Sequence, residues 1–219
     1  MGRQEMYRKV FEPLSRAGLE VLEGGVPEAV LPVFAVSATV SCGKDTGRRD
    51  SCADFDNFNE PHLIEHANRG WYELATSSGL FDANREFLLA LPAHRYNPRV
   101  DVDRRSIWRR VRLLDGWDVM GAACAIRKGR NVLGLDECLL GSRAGRPEFM
   151  MLSLDSNVSL VGTTWQHGIG SLTVPKPGST EPVHRILDWA ANGADSSHEK
   201  RADAIAWLRR NESAVTDRA

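Results

Sequence analysis

Three short acidic segments carry the side chains best suited to chemistry. They are Asp54-Phe55-Asp56-Asn57, the stretch Lys128-Gly129-Arg130-Asn131 with Asp136-Glu137 shortly after it, and Ser153-Leu154-Asp155-Ser156-Asn157. Carboxylate and amide oxygens are the ligands preferred by hard divalent cations such as Mg²⁺ or Mn²⁺. A cluster of them can activate a bound water and stabilise charge on a phosphoryl group. In isolation, each segment is also ordinary turn or helix-cap chemistry, because Asp, Asn and Ser bond readily to nearby backbone N–H groups. Only their combination at one place would make a site.

A second pattern lies in His62-Leu63-Ile64-Glu65-His66. On a helix this spacing puts two imidazoles at i and i+4 with Glu65 between them, the arrangement of inverted zinc peptidases. A zinc hydrolase built on His62, Glu65 and His66 is therefore a competing reading, although no third ligand is evident from the sequence. A third pattern is basic: between Arg99 and Arg130 there are nine Arg or Lys against four Asp. A helix over Asp103 to Leu114 would set Arg105, Arg109 and Arg112 at i, i+4 and i+7. That stripe suits phosphate contact and could be extended by Lys128 and Arg130. The alternative is a solvated face balanced by neighbouring Asp residues.

The elements expected to position these groups read as repeated β-α units, the pattern of a parallel sheet covered by helices. Strands are expected at Ser51–Phe55, around His94–Tyr96, at Trp117–Ile126, Phe149–Leu154 and Ile169–Val174. Helices are expected at about Glu60–Thr76, Asp82–Leu91, Asp103–Leu114, Asn131–Leu140 and Val158–Trp165. In such a sheet the acidic segments would gather at the C-terminal ends of the strands, where ligands bind. The apolar run Ala29–Val40 fits helix or strand equally well. Pro175 to Thr180 is linker chemistry, and two helices should follow it, at Val183–Ala191 and about Arg201–Glu212. The organisation expected is an N-terminal helical extension over 1–48, an α/β domain over 49–176 and a C-terminal helical extension over 181–219.

Taken in order, the acidic segments resemble the NYN domain of the PIN-like nuclease superfamily. Asp54 and Asn57 match its D-x-x-N strand end. Lys128-Gly129 with Asn131 and Glu137 match its K-G-x-D followed by an acid, and Ser153, Asp155 and Asn157 match its S-x-D-x-D. Asn131 and Asn157 stand where that family has Asp. The resemblance implies a PIN-like, Rossmann-like parallel sheet flanked by helices, and metal-dependent hydrolysis of RNA with Mg²⁺ or Mn²⁺. It further implies Asp54 and Asp155 as direct metal ligands, Glu137 as a third ligand or water-orienting group, and Asn157 as an oxygen ligand in place of an acid. Asn57 and Asn131 would then contact substrate. The two Asn substitutions leave open a catalytically inactive relative that binds RNA or a protein.

The remaining composition bounds these readings. The chain has 219 residues, 42% of them hydrophobic, and a formal net charge of −1, enough for one sizeable core and not the balance of a general polyanion binder. No apolar run approaches the roughly 18 residues of a membrane span, and no secretory leader is evident, so a cytoplasmic protein with no membrane association is expected. Cys42, Cys52, Cys124 and Cys138 stand far apart and should be reduced thiols. The terminal helices offer surfaces through which protomers could pair.

Overall fold

The segment Glu86-Phe-Leu-Leu-Ala-Leu-Pro92 sets the architecture. It is a strand, β3 (Glu86–Pro92), with every residue from Glu86 to Leu91 buried. In the computed structural model its odd residues, Phe87, Leu89 and Leu91, enter one hydrophobic cluster, and Leu88 and Ala90 enter another on the opposite face. A strand buried on both sides must lie inside a three-layer arrangement, with helices over each face of the sheet. The structure describes residues 11–28, 30–54, 62–93, 106–125, 138–142, 144–193 and 196–216, with side chains described as far as residue 211.

The strands are β1 (Leu19–Val21), β2 (Arg49–Asp54), β3, β4 (Ser106–Leu113), β5 (Phe149–Leu152), β6 (Val158–Trp165) and β7 (Gly168–Pro175). They form one sheet in the order β1-β4-β3-β5-β6-β7-β2. Every neighbouring pair is antiparallel. The expected parallel, Rossmann-like sheet is therefore wrong. The reason is local: Val158–Trp165 is a strand and not a crossover helix, and only Gln166 and His167 separate it from β7. A two-residue turn can only reverse the chain, because a parallel connection needs a dozen residues or more.

Other element types differ for related reasons. Asp82 does not open a helix: its Oδ1 accepts the backbone N–H groups of Asn84 and Glu86, both at 2.8 Å, closing a turn that feeds β3. The helix expected over Asp103–Leu114 is β4, whose two-residue alternation is hidden because arginines occupy both faces. The strand expected at Trp117–Ile126 is instead the short helix α4 (Val119–Cys124), capped by the Asp118 carboxylate, which accepts from the backbone N–H of Gly121 at 3.0 Å. The expected strand at His94–Tyr96 lies outside the described residues, as does most of the expected helix at Asn131–Leu140.

One face of the sheet is covered by α1 (residues 11–16), α3 (Leu63–Ser78) and α4. The helix α3 buries Ala67, Trp71, Leu74 and Ala75 and ends at Gly79, whose left-handed φ of 78° lets its N–H return to Ala75 and Thr76. The other face carries α2 (Val33–Val36), α5 (Glu181–Asn192) and α6 (His198–Thr216). Between β1 and β2, which form opposite edges of the sheet, residues 22–48 cross this second face as a strap. Leu31, Ala35, Val36 and Cys42 of the strap pack with Val183, Leu187 and Trp207. Segments 1–48 and 181–219 contribute β1, α1, α2, α5 and α6 to the same layers. No helix among the described residues is long and apolar enough to cross a membrane.

Candidate functional site

The strand register decides whether the acidic segments meet. Asp54 pairs with Gly168 at the end of β2, and Gly168 pairs with Trp165. Asp155 lies in the β5–β6 turn, beyond Leu152 and Val158, at the other end of those strands. The seven residue steps from Val158 to Trp165 put the two carboxylates about 23 Å apart along the strands, at roughly 3.3 Å per residue. They cannot ligate one ion at carboxylate–metal distances. Asn57, Glu137, Asn131, Lys128, Arg130 and Arg105 lie outside the described residues.

Asp155 is occupied with its own turn. Ser153 Oγ donates to its Oδ1 at 2.6 Å, the Asn157 backbone N–H donates to Oδ1 at 3.0 Å, and Asn157 Nδ2 donates to Oδ2 at 2.8 Å. Burial pushes the carboxyl upward, but these bonds to Ser153 and Asn157 outweigh it, and the group titrates below its usual range. They allow Ser156 to sit at a φ of +60°. Asp155 and Asn157 are thus placed side by side, as partners in a turn.

Asp54 is exposed at a sheet edge and accepts a weak hydrogen bond from Cys52 Sγ at 3.6 Å. Burial, the bond to Asp54 and the charges of Asp54 and Asp50 push the Cys52 thiol up to about 11. Burial and Asp118 do the same to Cys124. Neither is a ready thiolate nucleophile.

The expected guanidinium stripe is divided by the strand. Arg109 and Arg112 differ by an odd number of positions on β4, so they project from opposite faces. Arg112 donates to Glu86 Oε1 at 2.7 Å and lies 3.5 Å from Glu20 Oε2, while Arg110 Nε donates to Glu86 Oε2 at 2.7 Å. Glu86, 3% exposed, is held below the usual carboxylate range chiefly by its bond to Arg112, with burial opposing and Arg110 assisting. These arginines neutralise a buried acid. Arg109 faces the α3–α4 side, where its Nε is buried without a hydrogen-bond partner among the described residues.

His62, Glu65 and His66 stand at the exposed start of α3. His62 Nδ1 lies 3.0 Å from Glu65 Oε2, Arg69 reaches Glu65 Oε1 at 3.4 Å, and the imidazole centroids are 6.5 Å apart. Glu65 is shared between two basic neighbours. Among the described residues, no group of three or more His, Cys, Asp or Glu is placed to hold a metal ion.

The feature missed in the sequence is a groove on the second face of the sheet, with a volume of about 640 Å³. Its floor is Trp108 of β4 and Met150 of β5, one wall is lined by strap residues between Val26 and Ser37, and the other is Ser197 with the face of α6 from Glu199 to Arg210. The strap is fixed at two points. Trp108 Nε1 donates to the Leu31 carbonyl at 2.7 Å, and the Arg210 guanidinium donates to the Glu28 carbonyl. Trp207 closes the base of the α6 wall, packed against Gly178 and edge-on to His184 at 5.9 Å between ring centroids. The strap held an unassigned apolar run, and each tryptophan reads as core packing in isolation. Their convergence depends on long-range packing that no local spacing encodes. No family model, no curated protein and no solved structure matches this chain.

Proposed function

We propose that the chain is a binding module that holds a small ligand with an apolar body in the groove between the strap and α6. The groove itself carries this reading. Its volume of about 640 Å³ falls in the range of small-molecule sites, which combine an apolar lining with a few polar groups at the rim. Trp108, Met150, Phe34 and Val33 supply apolar contact, and charged residues of α6 stand above them. The nuclease expectation rests on Asp54 and Asp155 sharing one ion, and these two lie at opposite ends of the strands.

The test is titration of the purified protein with 1-octanol and with indole, read by tryptophan fluorescence and by amide shifts. Saturable binding that is lost in Ala206→Trp, which places a large side chain at the groove, supports the reading. The parent and variant should share a melting temperature. Absence of saturable binding for both probes overturns it.

A further inference from the structure

We infer that the groove selects an amphiphile with a cationic head, an amine or guanidine on an apolar body, and this rests on the groove being a ligand site. Glu28 on the strap and Glu199 and Asp203 on α6 line it, against Lys200 and Arg210. The described lining thus has three carboxylates and two cations, a formal charge of −1. Arg210 is turned onto the Glu28 carbonyl, so its guanidinium is held at the strap. Glu199, Lys200 and Asp203 each have protein partners of their own. The preference therefore comes from the net field of the lining, not from one group awaiting a counter-ion.

The floor acts in the same direction. Because Trp108 spends its N–H on Leu31, what its indole can offer a ligand is apolar and π surface. Phe34 and Trp207 add further aromatic surface. Aromatic faces attract cations and give an anion no comparable contact. An apolar tail would lie along Met150 and Val33, with the charged head toward the carboxylates of the rim.

The experiment compares octylamine, 1-octanol and octanoate, which share an eight-carbon chain and differ in head charge, at pH 7 on the full chain. Octylamine should bind at least tenfold more tightly than octanoate. That ratio should shrink at high salt, because exposed charges are screened over about 10 Å at 0.1 M. In Glu28→Gln/Asp203→Asn the ratio of octylamine to octanoate affinity should fall severalfold. Octanoate binding as tightly as octylamine, with octanol still bound, overturns the charge preference and leaves the groove reading standing. If none of the three saturates, both fail. Should the double variant lose its cooperative melt, the salt series on the parent decides alone, with a salt-independent ratio overturning the inference.

Discussion

Asp155 and Asn157 are bound to each other twice, through the Asn157 backbone N–H and through its side-chain amide. This relationship accounts for an acid and an amide two positions apart without a metal: the carboxylate closes the turn that joins β5 to β6. Asp155→Ala should therefore destabilise the fold by about 1–2 kcal/mol in urea unfolding, since hydrogen bonds to a charged group are lost. Asp54→Ala, at an exposed edge, should stay within about 0.5 kcal/mol of the parent. A Mg²⁺-dependent RNA cleavage that vanished in both variants, with folding intact, would contradict this separation of roles.

The Glu86 pair with Arg112 and Arg110 gives stability a defined pH dependence. Its folded carboxyl titrates below the usual value, so the unfolded chain binds more protons as pH falls. The stabilisation is fully present above the unfolded pKa near about 4.3 and is lost as pH drops through the lower folded value. The urea midpoint of the parent should decline across that window. In Glu86→Gln it should be lower at neutral pH and decline less steeply below pH 5. Parallel curves for the two proteins would remove Glu86 as the source.

How much of this was legible follows from which signals are local. Both helices after Pro175, the long helix before Gly79, and β2, β5 and β7 are read correctly because their ends carry turn residues and their apolar spacing is clean. Among the misread elements, β3, β4 and β6 are buried on both faces or carry charge on both, so a period of two is masked. In β4, Arg110 and Arg112 sit where an apolar residue would have revealed the strand, because Glu86 on β3 neutralises them. The Glu86–Arg112 contact spans 26 positions, beyond the reach of any spacing rule. The same holds for the groove, whose Trp108–Leu31 bond spans 77. The individual roles of Asp54 and Asp155 as exposed acid and turn former are local and readable. Their mutual distance depends on sheet order, which is not.

The thiol of Cys52 should be slow despite its exposure. With its titration pushed up to about 11, little thiolate is present at pH 7.5, and iodoacetamide should modify Cys52 more slowly than a free cysteine. The rate should rise with pH toward that midpoint. Asp54→Asn, which removes one of the charges opposing ionisation, should shift the profile to lower pH while burial holds part of the elevation. Peptide mapping by mass spectrometry separates Cys52 from the other three thiols. A profile unchanged by Asp54→Asn would leave burial and the charge of Asp50 as the causes.

Trp108 joins the floor of the groove to its wall, and this can be tested separately from ligand identity. Trp108→Phe keeps an aromatic ring but removes the N–H that satisfies the Leu31 carbonyl. Leu31 is 1% exposed, so water does not readily replace the lost donor, and the cost should be about 1–3 kcal/mol of stability. The strap would keep the Arg210 contact with Glu28 and the packing of Ala35 and Val36. Its loss of order should therefore be local: faster amide exchange near Leu31, with β3 and β6 amides changing only by the global stability difference. Octanol affinity should fall with it, because the wall is no longer held against the floor. An exchange pattern in which the strap amides move no more than those of β3 would show that packing alone places the strap and that the indole N–H is incidental to the groove.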